Sequence, residues 1–124
     1  MAKRKNKKKG PFYVYTIEHN NKIIYVGMSN NLLRRQKEHT RNINKQSPTK
    51  TLYKYLVKAG VTTVTLNMIA EFKYRSSAKS YEAFTILTEL FIHKNYNLTN
   101  KGVERLFLYH DRLQEEFLLN KELF

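Results

Sequence analysis

Arg35 and His39 stand four residues apart in a segment whose apolar residues are Leu32, Leu33 and Ile43. On a helix, positions 32, 35, 36, 39 and 43 share one face, so the guanidinium and the imidazole point inward together. Arg34, Lys37, Glu38 and Arg41 fall on the outward side. An inward arginine needs a counter-ion, because an unpaired buried charge costs on the order of several kcal/mol. A phosphate suits it, since the guanidinium fork reaches two oxygens. Carboxylates are scarce: the first 100 residues hold only Glu18, Glu38, Glu71, Glu82 and Glu89. A hard cation such as Mg²⁺ takes oxygen ligands and keeps most of its waters, so one carboxylate plus a substrate phosphate is enough. Glu82 and Glu89, on a mostly apolar later segment, are both candidates. Glu89 and His93 also form an i, i+4 pair, read as a helix-face pair in preference to a second metal site.

The charge balance agrees with a phosphate-bearing partner. The chain has 124 residues, 23 of them Lys or Arg and 10 Asp or Glu, for a net charge of +13. Residues 101–124 contain 4 basic and 5 acidic side chains, so the positive charge lies in the first 100. Such an excess favours nucleic acid. The alternatives are a solubility surface and a ribosome-associated structural protein. There is no cysteine, hence no disulfide and no thiolate zinc site. The basic run at residues 3–9 has no apolar stretch after it, so it is not expected to act as a secretory signal, and no apolar run approaches the length of a membrane span. These features point to an intracellular protein, cytoplasmic or nucleoid-associated, with no membrane partner.

The elements that must position these residues are readable from pattern. Residues 1–10 form a disordered basic arm carrying Lys3, Arg4, Lys5, Lys7, Lys8 and Lys9. Residues 12–17 and 23–26 predict two strands around a turn at His19-Asn20-Asn21-Lys22, a β-hairpin. Asn30 or Asn31 caps a helix running to about Asn44. A loop around Pro48 follows, then a short helix from Thr51 to Ala59 that stops at Gly60. Val61 to Ile69 alternates as a third strand. A helix from about Ala78 to Lys94 has Ala83, Leu87 and Leu90 along one stripe. An amphipathic helix from Val103 to about Leu123 ends the chain. The fold class is α/β (α+β): a small three-stranded, mainly antiparallel sheet flanked by helices. The domain is expected at 11–100, with residues 101–124 packing on it, forming a homodimer contact or meeting a partner protein.

The hairpin and first helix resemble the GIY-YIG nuclease family. Its first signature stands here as Tyr13-Val14-Tyr15 and its second as Tyr25-Val26-Gly27, with Tyr13 where the family name has Gly. The family's helix Arg and His match Arg35 and His39, its metal-binding Glu matches Glu82, and its Asn matches Asn97 within Asn95-Tyr96-Asn97. The resemblance spans roughly residues 12–100. It implies an endonuclease with one divalent cation, Mg²⁺ or Mn²⁺, on Glu82, acting on DNA in preference to RNA. Arg35 would neutralise charge on the phosphoryl oxygens. Tyr15 would be the general base, which requires its pKa to fall from about 10 towards neutrality. Tyr25 and His39 would position the water or share its proton, with the roles of Tyr15, Tyr25 and His39 open to permutation, and Asn97 would orient Glu82 or another site group. Arg34, Lys37, Arg41 and Lys54, with the arm, would hold the nucleic-acid backbone. Tyr53, Tyr55 and Tyr74, set among Lys54, Lys58, Lys73 and Arg75, read equally as base-stacking rings or as core. A silent nucleic-acid-binding module of the same fold is the competing reading.

Overall fold

The computed structural model describes residues 10–45, 48, 50–103, 112 and 115. Strands β1 (Phe12–His19) and β2 (Lys22–Ser29) form an antiparallel hairpin with His19 opposite Lys22. The two residues between them, Asn20 and Asn21, have φ of 53° and 63°. Two successive left-handed residues make the type I′ turn that matches the twist of the flanking strands, and Asn tolerates that conformation. Helix α1 (Leu32–Ile43) begins at Asn31, whose side chain accepts from the Arg34 backbone N–H at 3.0 Å. Helix α2 (Thr51–Lys58) ends as expected at Gly60, which has φ of 77°. Gly60 N–H bonds to Val57 O and Val61 N–H to Leu56 O, the paired bonds of a Schellman stop.

Strand β3 (Asn67–Phe72) pairs antiparallel with the other edge of β1, giving the order β2-β1-β3. The central strand is buried on both faces. Tyr15 and Ile17 point into a cluster with Ile43, Leu52, Tyr53, Leu56 and Val64. Phe12 and Val14 point the other way, into a cluster with Val26, Ala78, Leu90, Leu98 and Val103. Helices α1 and α2 thus cover one face, and α3 (Arg75–Phe91) covers the opposite one. A bulge opposite Ile17/Glu18 leaves Ile24 as the extra residue of β2. It lets Ile24 and its neighbour Tyr25 serve the same cluster despite the pleat.

Three sequence expectations are corrected. The third strand lies at Asn67–Phe72 and not from Val61. Val61, Val64 and Leu66 pack on the α1–α2 cluster without strand pairing, and their burial produced the alternation. The last described helix starts at Arg75, and its inner stripe is rotated from the expected one. Ala83 and Leu87 are exposed, whereas Ala78, Tyr81, Glu82, Ile86, Glu89 and Leu90 turn towards the sheet or its edges. The basic arm, apart from Gly10, and the final helix beyond Val103, apart from Arg112 and Glu115, lie outside the described residues. No described helix is long and apolar enough to cross a membrane.

Candidate active site

The site grows from the pairing of Tyr15 with Gly27 across the hairpin. A Cβ on residue 27 would lie 2.4 Å from Tyr15 Cζ and 2.4 Å from its hydroxyl. Only a glycine lets the phenol lie flat over β2 and extend its oxygen towards α1. There Tyr15 Oη meets His39 Nε2 at 2.8 Å and receives Arg35 Nε–H at 3.3 Å. His39 is fully buried. Its other ring nitrogen, Nδ1, meets Tyr53 Oη at 2.9 Å, and Tyr53 Oη receives the Asn42 amide N–H at 3.1 Å. Tyr25 packs edge-on to His39, with ring centres 5.8 Å apart. The expected inward face of α1 is therefore correct for His39 and Ile43, and Arg35 is half-buried beside them.

Glu38 differs from expectation. It was placed on the outward face, yet its carboxylate turns back to accept from Arg35 Nη1 at 2.8 Å and lies 3.5 Å from Arg34 Nε. It serves as the counter-ion that the inward arginine requires. The same arginines border an open cleft of about 210 Å³, shared with Ser29, Asn30, Glu38 and Arg75. Arg35 joins this cleft to the buried phenol–imidazole chain. Three guanidinium groups around one recess suit an anionic strand.

Electrostatics follow from burial. Desolvation pushes the Tyr15 phenol above its ordinary value, with Tyr25 adding to the rise and Arg35 only partly offsetting it. The protein groups alone thus act opposite to the lowered Tyr15 pKa anticipated from sequence. Desolvation also raises Tyr25, against the pull of Arg35. Burial disfavours the Arg35 charge, but the Tyr15 and Glu38 hydrogen bonds more than offset this and hold it above its usual range. The Arg35 hydrogen bond lowers Glu38. Burial, aided by Arg35, depresses His39 to about 4, so its ring is neutral at pH 7.

That depression has a sign for stability. Between pH 6.5 and about 4 the unfolded chain protonates its histidine while the folded one does not. Folded stability therefore falls as pH drops through this window, by roughly 2 kcal/mol after discounting for solvent screening. Urea unfolding at pH 7 and pH 4.5 should show this loss, and His39→Gln should flatten it. An unchanged slope in His39→Gln would assign the loss to other groups.

Glu82 lies on α3, which packs on the opposite face of the sheet. Its carboxylate is half-buried and adds to the rise of the Tyr25 pKa. Desolvation raises its own pKa, opposed by Lys79 and Arg75. Among the described residues, no hydrogen bond or ion pair engages it. Nor do the described residues contain a group of three or more His, Cys, Asp or Glu able to hold a metal. A lone, desolvated, unbonded carboxylate fits a cation that accepts one protein ligand and retains its waters. Glu89 is engaged elsewhere: it accepts from Asn95 Nδ2 at 2.9 Å and lies 3.4 Å from His93 Nδ1. This resolves the pair as a helix-end contact.

Asn97 is exposed, and it donates to Asn95 Oδ1, at 3.0 Å from its backbone N–H and 3.3 Å from its side-chain amide. No hydrogen bond joins it to Glu82. Its neighbours tie this loop to β2. Asn95 Nδ2 bonds to Ile23 O at 2.8 Å, and Asn100 bonds to both Val26 N–H and Val26 O at 3.0 and 2.7 Å. Arg34, Lys37, Arg41 and Lys54 are exposed, while Lys3 to Lys9 lie outside the described residues. Tyr53 is core, Tyr55 packs edge-on against His19 with ring centres 5.8 Å apart, and Tyr74 is exposed.

Sequence reasoning named Tyr53 and Arg75 only within a basic–aromatic group open to a core reading, and did not name Asn42. Leu52, Tyr53 and Leu56 share a helical face, and a buried tyrosine hydroxyl needs a partner; that was the available signal. One family model matches the chain, the GIY-YIG catalytic domain, over residues 11–97. No curated protein and no solved structure gives a significant match.

Proposed function

The chain belongs to the GIY-YIG family, whose domain is a nuclease catalytic domain acting on nucleic acid, and on that footing we propose that it is an endonuclease hydrolysing DNA phosphodiester bonds with one divalent cation, Mg²⁺ or Mn²⁺. The observation that carries this reading is the Tyr15 hydroxyl, held between the His39 ring and the Arg35 guanidinium, with Arg35 itself lining an open arginine-bordered cleft. Arg35 binds the scissile phosphate, exchanging its Glu38 contact for phosphoryl oxygens as negative charge develops. Glu82 would hold the cation, which would supply Lewis-acid chemistry at the phosphate. Tyr15 takes a proton from the attacking water, and Tyr25 and His39 orient that phenol and the water. Arg34 and Arg75 at the cleft, Lys37, Arg41 and Lys54 on the helices, and the basic arm grip the flanking backbone.

Purified protein tested on duplex, branched and single-stranded DNA and on RNA, with Mg²⁺ or Mn²⁺, should cut DNA in a metal-dependent manner. Salt-sensitive binding with every substrate left intact across both metals would replace this reading with the silent binding module.

A further inference from the structure

One anionic group already sits in the arginine cleft, and it is the protein's own. Among the residues lining the cleft, Arg34, Arg35 and Arg75 are cationic and Glu38 alone is acidic. The Glu38 carboxylate spans two of the guanidiniums. Its Oε2 accepts from Arg35 Nη1 at 2.8 Å, and its Oε1 lies 3.5 Å from Arg34 Nε. The two non-bridging oxygens of a phosphodiester offer the same pair of acceptors. Other bonds fix how each guanidinium is turned: Arg35 Nε–H goes to Tyr15 Oη at 3.3 Å, and Arg34 Nη2 donates to Asn30 Oδ1 at 2.7 Å. The Arg35 and Glu38 side chains are each 29% exposed, so their contact lies open to a ligand entering from solvent.

We propose that Glu38 is a specificity-determining residue: its carboxylate occupies the Arg34–Arg35 phosphate seat in the free protein, so that a nucleic-acid strand displaces it and an isolated phosphate does not. The choice of a nucleic-acid strand as ligand rests on the nuclease reading given above. An isolated phosphate gains from these two guanidiniums little more than Glu38 already supplies, so the exchange is close to neutral. A strand brings a second phosphate into the same cleft. Three guanidiniums against one carboxylate leave a net charge of +2 there, which suits two successive phosphodiesters. Arg75, at the start of α3, is the guanidinium outside the Glu38 bridge and meets that second phosphate. The two contacts form on one covalent ligand, so the second raises affinity without a second association cost. The Arg35 hydrogen bond holds the Glu38 carboxyl below its ordinary range, so the seat stays taken at neutral pH. A solvent-open ion pair contributes little to folding, which leaves this one exchangeable.

Glu38→Gln keeps the length of the side chain and removes its charge. Anisotropy titrations with a labelled single-stranded DNA oligonucleotide, at low salt and without metal, should show about tenfold tighter binding than wild type. Inorganic phosphate should compete with the oligonucleotide on Glu38→Gln and fail to compete on wild type at the same concentration. Glu38→Ala should repeat both results. Glu18→Gln is the control for net charge. Glu18 accepts from Asn67 near the turn of the hairpin, at the end away from Ser29 and the cleft, so its change should alter affinity by less than about twofold. A carboxylate that only braced α1 would leave binding unchanged or weaker once removed, so tighter binding separates the two roles. A Glu38→Gln protein that binds the strand no tighter than wild type overturns the proposal. So does phosphate that competes equally on both proteins, or a Glu18→Gln protein with the same gain. A wild type that cuts nothing once Mg²⁺ is added overturns the nuclease reading instead, and the binding results still decide the role of Glu38.

Discussion

Glu82→Gln should reduce DNA cleavage by about 10³-fold or more while making the folded protein more stable. The exchange keeps the shape of the side chain and removes the charge on which the cation depends. Stability rises because the wild-type carboxylate is desolvated without a hydrogen bond to compensate, which raises its pKa. A carboxyl with a raised folded pKa keeps its proton at pH values where the unfolded chain has lost it. Wild-type stability therefore declines as pH rises from the ordinary value of 4.5 through the raised one, and the penalty is constant above. Glutamine has no such penalty, so the two melting temperatures should converge below pH 4.5 and separate at pH 8. Mg²⁺ should narrow the gap by stabilising the wild type alone. Melting curves at both pH values, with and without Mg²⁺, alongside single-turnover cleavage, give the readout. A Gln variant that cuts at the wild-type rate, or melts lower than wild type at pH 8, would remove Glu82 from its assigned role.

Gly27→Ala should be the most damaging single methyl in the site. The new Cβ would sit 2.4 Å from the end of the Tyr15 ring. That ring has nowhere to retreat: it is fully buried and hydrogen-bonded to His39. Overpacking of this kind costs about 1–3 kcal/mol. Moving the hydroxyl by about 1 Å should cost a further 10²-fold in rate. Gly60→Ala is the matched control. Residue 60 has φ of 77° but open space around it, so alanine there should cost about 1 kcal/mol in stability and leave cleavage untouched. Denaturant unfolding and cleavage assays on both variants separate the effects. A Gly27→Ala protein as stable and as fast as wild type would show that the phenol is free to shift.

Where local rules act alone, the sequence was legible. The Asn-Asn turn, the Asn31 cap and the Gly60 stop need only neighbouring residues, and each lies where pattern placed it. The inward turn of His39 followed from helical spacing alone. The misreadings arose where polar groups occupy inner positions or apolar groups occupy outer ones. In α3, the polar Glu82 and Glu89 turn inward, Glu89 to meet Asn95, so an apolar stripe drawn through Ala83 and Leu87 was rotated. In β3, Met68 and Ile69 are 51% and 40% exposed, so strand pairing left no burial rhythm to read. Glu38 looked like a solvated surface charge because its partner, Arg35, lies three residues away and depends on no pattern. Tyr53 was one ring among several near lysines, and only the fold shows its oxygen meeting a histidine 14 residues earlier.

The central position of β1 sets a gauge for the centre. The phenol chain hangs from one face of the sheet, and the helix carrying Glu82 rests on the other. The thickness of a single backbone layer, and no connecting loop, thus sets the spacing between Tyr15 and Glu82, the proposed base and metal ligand. Lengthening the segment between α2 and β3 should leave that spacing intact. One residue inserted into β1 ahead of Tyr15 would swing the phenol to the wrong side of the layer, because neighbouring side chains in a strand point to opposite faces.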